Sequence, residues 1–134
     1  MMACSMEPDP HITEAKTSLG LIRGHAYSVT KVLKAKIDTG RKQGLFPLVR
    51  IRNPWGEAEW KGAWSDHSDE WIFVLEEEKI EHGIVFENDG EFFMSKEDFL
   101  KVFFYYMKIE INIYYGSHLF ITCISTTLFR LYIL

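Results

Sequence analysis

The chain of 134 residues is long enough for one domain and too short for two of ordinary size. Hydrophobic residues make up 47% of it and charged residues 25%, which is the balance of a folded domain and excludes a disordered chain. The net charge is -4 and no basic stripe is interleaved with aromatic residues, so the sequence excludes a nucleic-acid-binding protein.

Cysteine usage and the N-terminus indicate the compartment. Cys4 and Cys123 could form one disulfide, but there is no dense cysteine framework and no Cys-x-x-Cys pair for zinc. The N-terminus lacks a basic region followed by an apolar run, so no secretory signal is predicted. We therefore expect a reducing, cytoplasmic setting.

The first third of the chain begins with a polar stretch. Residues 1–20 contain Pro8 and Pro10 among acidic residues, which predicts a lead-in loop. From 26 to 32 the residue types alternate as in a β-strand. The glycine-flanked segment 40–44 then predicts a turn to a second strand.

The second predicted strand covers residues 46–53. Its alternation places Leu48 and Arg50 on one face and Val49 and Ile51 on the other. A proline lies within this run, which fits an edge strand or the start of a strand. The strand is expected to end abruptly at the Pro-Trp-Gly sequence that follows.

The middle and end of the chain predict helices and one hairpin. All four tryptophans fall between residues 55 and 71, so this stretch is expected to anchor the core, and residues 66–71 could form one short helix. The Asp-Gly pair at 89–90 predicts a tight hairpin between apolar segments on either side. Ser95 is predicted to cap a helix that extends to about Phe103. The predicted class is mainly antiparallel β with short helices, an α+β fold.

The C-terminal segment, 112–134, is an atypical apolar tail. Residues 111–129 contain no formal charge over 19 positions, which is long enough for a membrane span. Asparagine and histidine within this run are costly in a membrane, so a buried or aggregation-prone strand is the alternative that we favour. A membrane partner is therefore not expected.

Two short segments carry residues with catalytic chemistry. His25 opens the first strand, and Asn53 ends the second and is followed by Pro54 and Trp55. A cysteine protease needs a His that deprotonates the thiol and a third group that orients the imidazole. A His at the start of one strand and an Asn at the end of its neighbour can meet side by side. Taken alone, each remains open to a structural role, since single histidines are often structural and Asn-Pro-Trp is often a turn.

Together and in this order, Gly-His-Ala-Tyr-Ser-Val-Thr at 24–30 and Arg-Ile-Arg-Asn-Pro-Trp-Gly-Glu at 50–57 resemble the calpain family of cysteine proteases. The resemblance extends to Glu-Trp-Lys-Gly-Ala-Trp-Ser-Asp at 59–66 and to Asp-Gly-Glu-Phe-Phe-Met-Ser at 89–95. It covers about residues 3–111. It implies that 21–111 is the His/Asn subdomain of a papain-like core, an antiparallel β subdomain that forms its second half.

The resemblance also implies roles for individual residues. His25 would be the general base, Asn53 its orienting partner and Trp55 the shielding tryptophan. A calcium ion would be held by a set of oxygen donors that consists of Glu59, Asp66, Asp89, Glu91 and the backbone carbonyl of Glu87. Without the family, such carboxylates suit a hard cation but are more often the residues of a solvated loop surface.

The nucleophile that the family requires is not found. Nothing matches the Gly-x-Cys-Trp segment, Cys4 precedes His25 by too few residues, and Cys123 follows it in the tail. The sequence therefore predicts a calcium-dependent cysteine endopeptidase by family that is inactive by itself. Its partners would be protein substrates or the missing Cys-bearing half. The alternative is a non-enzymatic calcium-binding or regulatory fragment that docks on a complete protease or its inhibitor.

Overall fold

The structure, a computed structural model, describes residues 2–103 fully and 105–108 as backbone. The strands of this part are β1 Met2–Ser5, β2 Ala26–Asp38, β3 Gln43–Arg52, β4 Glu91–Ser95 and β5 Tyr105–Lys108. They form one antiparallel sheet in the order β4-β3-β2-β1-β5. A 3₁₀ helix Asp69–Phe73 and two helices, α1 Glu76–His82 and α2 Lys96–Val102, complete it. The predicted α+β class is confirmed.

The long β2–β3 hairpin is the centre of the sheet. Its turn is closed by a hydrogen bond of 3.0 Å from the Thr39 N–H to the Lys42 carbonyl, where the sequence predicted a turn. Pro47 lies inside β3, but β4 pairs with β3 only from Leu48 onward. The proline therefore lies beyond the three-stranded ladder, in the edge-like position that its missing N–H requires.

Each face of the sheet carries an apolar cluster. Alternation along β3 and β4 assigns their residues to the two faces. The first core is the cluster that comprises Cys4, Met6, Leu21, Tyr27, Val29, Val49, Ile51, Trp60, Phe92, Met94, Phe99 and Phe103. The second core is the cluster that comprises Leu33, Ala35, Leu48, Trp64, Trp71, Val74 and Phe93. The predicted split of Val49 and Ile51 from Leu48 is confirmed, and three of the four tryptophans are core residues.

A β-bulge in β2 lets one strand serve both cores. Tyr27 and Val29 pack in the first core, whereas Leu33 and Ala35, also at odd positions, pack in the second. The pairing register shifts between Val29 and Lys31. Because one extra residue moves every following side chain to the other face, the bulge explains the exchange.

The prediction that residues 1–20 form a lead-in loop is wrong at the start of this segment. β1 lies there, and it pairs with β2 on one side and with β5 on the other. Cys4 and Met6 are buried in the first core. Four residues are too few for a local alternation signal, so this strand is specified by its non-local partners. The boundary between 1–20 and 21–111 stays a prediction.

The prediction of a hairpin around the Asp-Gly pair is also wrong. β4 follows that pair, but residues 84–87 before it form no strand, and β4 pairs with β3 instead. α1 precedes this segment and was not predicted. Its sequence offers no apolar periodicity, since Glu78 is its one buried residue.

α1 covers the part of β2 that β1 leaves unpaired. Glu78 accepts a hydrogen bond of 3.2 Å from the Lys36 backbone N–H and forms an ion pair of 2.7 Å with the Lys36 ammonium. The Lys31 ammonium donates to the His82 carbonyl at 2.6 Å. The bond to Glu78 satisfies one backbone N–H of the β2 edge, and α1 covers part of an edge that could otherwise pair with other chains.

Two predicted helices are placed by the structure. Ser95 caps α2, since its hydroxyl accepts the Asp98 N–H at 3.0 Å, as predicted. The short helix expected at 66–71 is the 3₁₀ helix that begins three residues later, at Asp69. The tail, 112–134, lies outside the described residues. The membrane span and the buried or aggregation-prone strand that were considered for it therefore lie outside them too. Within the described part, no helix has the length and apolar character needed to cross a membrane.

Candidate active site

His25 and Asn53 meet at one end of the β2–β3 pair. His25 directly precedes β2 and Asn53 directly follows β3, and antiparallel pairing sets Ser28 opposite Arg52. The distance from His25 Nε2 to Asn53 Oδ1 is 2.8 Å, and both residues are buried. The sheet register thus brings together the two residues that the sequence placed at neighbouring strand ends.

The hydrogen bonds of Asn53 determine which nitrogen of His25 is basic. The Asn53 amide nitrogen donates to the Glu57 carbonyl, so its oxygen is the atom that faces His25 and the Trp55 N–H, the latter at 3.0 Å. An amide oxygen only accepts hydrogen bonds, so His25 Nε2 must carry the hydrogen. Nδ1 is therefore the nitrogen of the neutral ring that is able to take up a proton.

Two aromatic rings fix the imidazole in place. The Trp55 ring is tilted over it at a centroid distance of 4.2 Å, and the Tyr27 ring meets it edge-on at 5.1 Å. Trp55 is 53% exposed, so its outer face is open to solvent while its inner face covers the ring. Tyr27 was not singled out from the sequence. The available signal was its position two residues after His25, which places both on one face of the strand.

Glu14 lies beside the other ring nitrogen. Its carboxylate oxygen is 3.6 Å from His25 Nδ1. Glu14 belongs to the loop that precedes β2, and no sequence motif marks it. Asn53 and Glu14 thus contact the two different nitrogens of the His25 ring, and His25 is only 7% exposed.

The loop that carries the predicted acidic ligands is attached to Asn53 through Gly90. The Asn53 N–H donates to the Gly90 carbonyl at 2.8 Å, and the Gly90 N–H donates to the Glu59 carboxylate at 2.8 Å. Gly90 has φ +85°, and a Cβ there would lie 2.7 Å from Gly56 Cα and 2.9 Å from the Asn53 carbonyl oxygen. Only glycine fits this close approach.

Asp66 is a carboxylate whose two side-chain oxygens are buried. Both of its side-chain oxygens are inaccessible to solvent and have no hydrogen-bond partner among the described residues. Burial, followed by the charges of Glu59 and Asp89, raises the pKa of Asp66 to about 7, and the nearby backbone N–H of Glu87 offsets part of this rise. Such a group is stabilised by a cation, because burial of an unpaired charge is costly.

The remaining predicted ligands lie around the segment 87–91. Glu87, Asp89 and Glu91 line one surface cavity of about 290 Å³ together with Arg50. The Glu87 carbonyl accepts the Asp89 N–H at 2.9 Å, Asp89 accepts the Glu91 N–H at 2.9 Å, and Glu91 faces Arg50 Nε at 3.7 Å. Over the described residues, no three His, Cys, Asp or Glu side chains are gathered closely enough to hold a metal ion. The oxygen donors and the orphaned Asp66 fit a hard cation in chemistry, although the donors are not gathered around one point.

Cys4 has none of the features of a nucleophile. It is a free thiol that is buried in the first core. Burial raises the pKa of the Cys4 thiol far above its usual range, so the reactive thiolate is suppressed. In the sheet it is paired with Tyr27, and it has no hydrogen bond to His25. Cys123 lies outside the described residues.

Comparison with known proteins supplies the family. Residues 1–111 match the family model of the calpain family cysteine proteases. Relatives include Calpain-A of Drosophila melanogaster, 60% identical over 104 residues that are 77% of this chain and 13% of the relative. Calpain-B of the same organism is 59% identical over 77% of this chain and 11% of the relative. Calpain clp-1 of Caenorhabditis elegans is 48% identical over 77% of this chain and 13% of the relative. The chain thus spans roughly an eighth of the length of the relatives that it matches.

Proposed function

Because the chain belongs to the calpain family of cysteine proteases, we propose that it supplies the His/Asn half of a calcium-dependent cysteine endopeptidase. The observation that carries this proposal is the buried contact of 2.8 Å between His25 and Asn53. In that role His25 is the general base, Asn53 orients it and Trp55 shields their hydrogen bond from water. We propose that the substrates are proteins, which the complete enzyme cleaves in the cytoplasm.

The geometry supports a different role for each nitrogen of the His25 ring. Nε2 is held by Asn53, so Nδ1 takes the proton from a thiol that the other half of the core supplies. The thiolate then adds to the substrate carbonyl carbon, and the C–N bond breaks as the imidazolium gives its proton to the leaving amine. Water then hydrolyses the thioester, which releases the acid and restores the thiol. Trp55 over the ring and Asn53 at its edge keep the imidazole in one orientation throughout.

We further propose that the chain is inactive by itself, because Cys4 is buried in the first core and its pKa is raised. The test mixes the purified chain with a polypeptide that carries the Cys-bearing half and follows cleavage of a casein-type substrate in millimolar calcium. We expect activity from the mixture, none from the chain alone, and none from a mixture that contains His25→Ala. Cleavage by the chain alone that disappears in Cys4→Ser would overturn the proposal.

Calcium binding is proposed for the acidic loops. The donors would be the carboxylates of Glu59, Asp66, Asp89 and Glu91 and the carbonyl of Glu87. When bound, the ion would neutralise mutually repelling carboxylates. The Gly90 hydrogen bonds would then connect its donors to the backbone of Asn53. Support comes from Asp66, whose oxygens are buried without a partner among the described residues.

Calorimetric titration of the chain with calcium tests this site. We expect heat of binding in the original chain and none in Asp66→Asn, which has the same shape without the charge. A control is Asp9→Asn, since within the described residues Asp9 accepts hydrogen bonds from the backbone N–H groups of His11 and Ile12 in its own loop. A titration of the original chain without heat, accompanied by an unchanged melting temperature, would contradict calcium binding.

The alternative function is a non-enzymatic, calcium-binding or regulatory fragment that docks on a complete protease or its inhibitor. Trp55, which is 53% exposed beside His25, favours a surface that another polypeptide covers. Sedimentation of the chain with a catalytically dead complete protease distinguishes the two. If the chain forms a complex but no thiol-bearing half restores cleavage, the alternative replaces the first proposal.

A further inference from the structure

Glu14 lies against the one nitrogen of His25 that the Asn53 network leaves free. Its carboxylate oxygen is 3.6 Å from Nδ1. Under the proposed function, the thiol of the other half must reach this same atom, because Nε2 is already held by Asn53. The Glu14 carboxylate therefore lies beside the same ring nitrogen that the thiol of the other half would contact.

The loop before β2 is folded so that it delivers this carboxylate. Directly after Glu14 the chain closes on itself: the Arg23 N–H donates to the Ala15 carbonyl at 2.8 Å, and Lys16 forms a β-bridge with Ile22. Glu14 itself has φ +58°, a left-handed conformation that is uncommon for any residue except glycine. A closed loop on one side and an unusual backbone conformation at the residue itself place the side chain beside His25.

The other contacts of the ring involve Nε2 and the ring itself rather than Nδ1. Asn53 occupies Nε2, Trp55 covers the ring and Tyr27 packs on its edge. An imidazole nitrogen accepts or donates one hydrogen bond in the plane of the ring. Glu14 is 40% exposed, and its distance exceeds that of a hydrogen bond, so the contact is weak and is an ion pair only while the imidazole is protonated.

We propose that Glu14 is a displaceable occupant of the thiol's position. It blocks the approach to His25 Nδ1 in the separate chain and must move aside when the Cys-bearing half docks. Only the identity of the displacing group rests on the proposed function, because the occupation of Nδ1 is a property of this chain alone. A weak, half-exposed contact suits this role, since it can be exchanged for a thiol at little cost.

The test measures how fast diethyl pyrocarbonate acylates each histidine of the intact chain. Mass spectrometry of the proteolytic peptides reports the five histidines separately. Glu14→Gly removes the carboxylate and keeps a residue that tolerates the left-handed conformation. We expect His25 to react about fivefold faster in this variant, the scale of change that the loss of a weak, partly exposed electrostatic contact allows. An unchanged rate at His25, with the other histidines also unchanged, would overturn the proposal.

A second variant and a control guard against a general loss of structure. Glu14→Gln keeps the size of the side chain and removes its charge, and we expect a faster reaction at His25 here as well, smaller than in Glu14→Gly. Glu7→Gln changes an exposed carboxylate of the same loop and should leave His25 unchanged. His82, which lies 3.3 Å from Glu78, reports on the fold.

The outcomes remain decisive if one variant unfolds. If His82 also reacts faster in Glu14→Gly, that variant has lost its structure and Glu14→Gln decides. A faster reaction at His25 alone in Glu14→Gln supports the proposal, and an unchanged rate overturns it. These rates need no thiol half, so a failure to reconstitute proteolysis would overturn the proposed function while leaving the Glu14 contact standing.

Discussion

The two polar regions at this end of the sheet are built in opposite ways. Around His25, the polar atoms of Asn53 all have hydrogen-bond partners, and aromatic rings pack on the imidazole. Around Asp66, carboxylates approach one another, and two buried oxygens have no partner in the described chain. The first region is complete except for one nitrogen, whereas the carboxylates of the second repel one another. A folded chain can therefore satisfy the polar groups of one region while those of a neighbouring region remain electrostatically unfavourable.

The largest loss of stability is expected from a substitution at Gly90, which connects the two regions. Gly90→Ala would place a Cβ against the backbone of Gly56 and Asn53 at a φ of +85°. We expect a loss of about 3 kcal/mol in the free energy of unfolding, since backbone atoms cannot move aside as a flexible side chain can. Urea denaturation followed by tryptophan fluorescence measures this loss.

The matched control is Gly40→Ala in the β2–β3 turn. Gly40 has a similar φ of +74°, but nothing lies within 4 Å of the added Cβ. Its cost is expected to be about 1 kcal/mol, from backbone conformation alone. Equal losses in the two variants would show that the close approach at Gly90 contributes nothing.

The next effect concerns the completed region. Asn53→Ala removes the acceptor of both the His25 ring N–H and the Trp55 backbone N–H. We expect a loss of about 2 kcal/mol in unfolding free energy, because a buried donor is left without a partner. Asn88→Ala, at an exposed position of the acidic loop, is the control and should change little. Full stability in Asn53→Ala would mean that the site does not depend on this amide.

A smaller effect, of opposite sign, is expected in the region around Asp66. The folded-state pKa of Asp66 is about 7, whereas the ordinary value is 3.8. The folded state therefore retains a proton that the unfolded state releases. Stability that depends on this group is lost as the pH rises from about 4 to about 7 and is lowest above that range. In the absence of calcium, Asp66→Asn should melt higher than the original chain at pH 8 and equally at pH 4. A difference in melting temperature between the two chains that is the same at every pH would contradict the raised pKa of Asp66.

The smallest effect lies outside both regions, at the edge of β2. The Lys36 ammonium and backbone N–H bind Glu78 and lower the pKa of its carboxyl below the ordinary value of 4.5. Its contribution to stability is present above that ordinary value and is lost as the pH falls through the lower, folded-state pKa. Glu78→Gln should reduce the loss of stability that occurs when the pH falls from neutral to acidic values. Glu77→Gln, an exposed position on the same helix, should leave that loss unchanged. Circular dichroism during acid titration measures the difference.

Local patterns predicted a substantial part of the fold. The alternation in β3 assigned its residues to two faces, and Ser95 was identified as a helix cap from its own neighbourhood. β1 and α1 were not predicted. β1 is too short for a periodic signal, and α1 is held by charged contacts to β2 rather than by an apolar face. Elements that depend on partners distant in the sequence leave little trace in their own residues.

By itself, the sequence determined which residues stand at the strand ends, His25 and Asn53, because strand limits follow from local alternation and from turn residues. It also pointed, through family resemblance, to the acidic loops. Only the tertiary structure decided that Nδ1 is the free nitrogen, that Glu14 lies beside it and that Asp66 is buried without a partner in the described chain. These properties depend on distances between segments far apart in the chain, and such distances are set by sheet register and loop closure rather than by local composition.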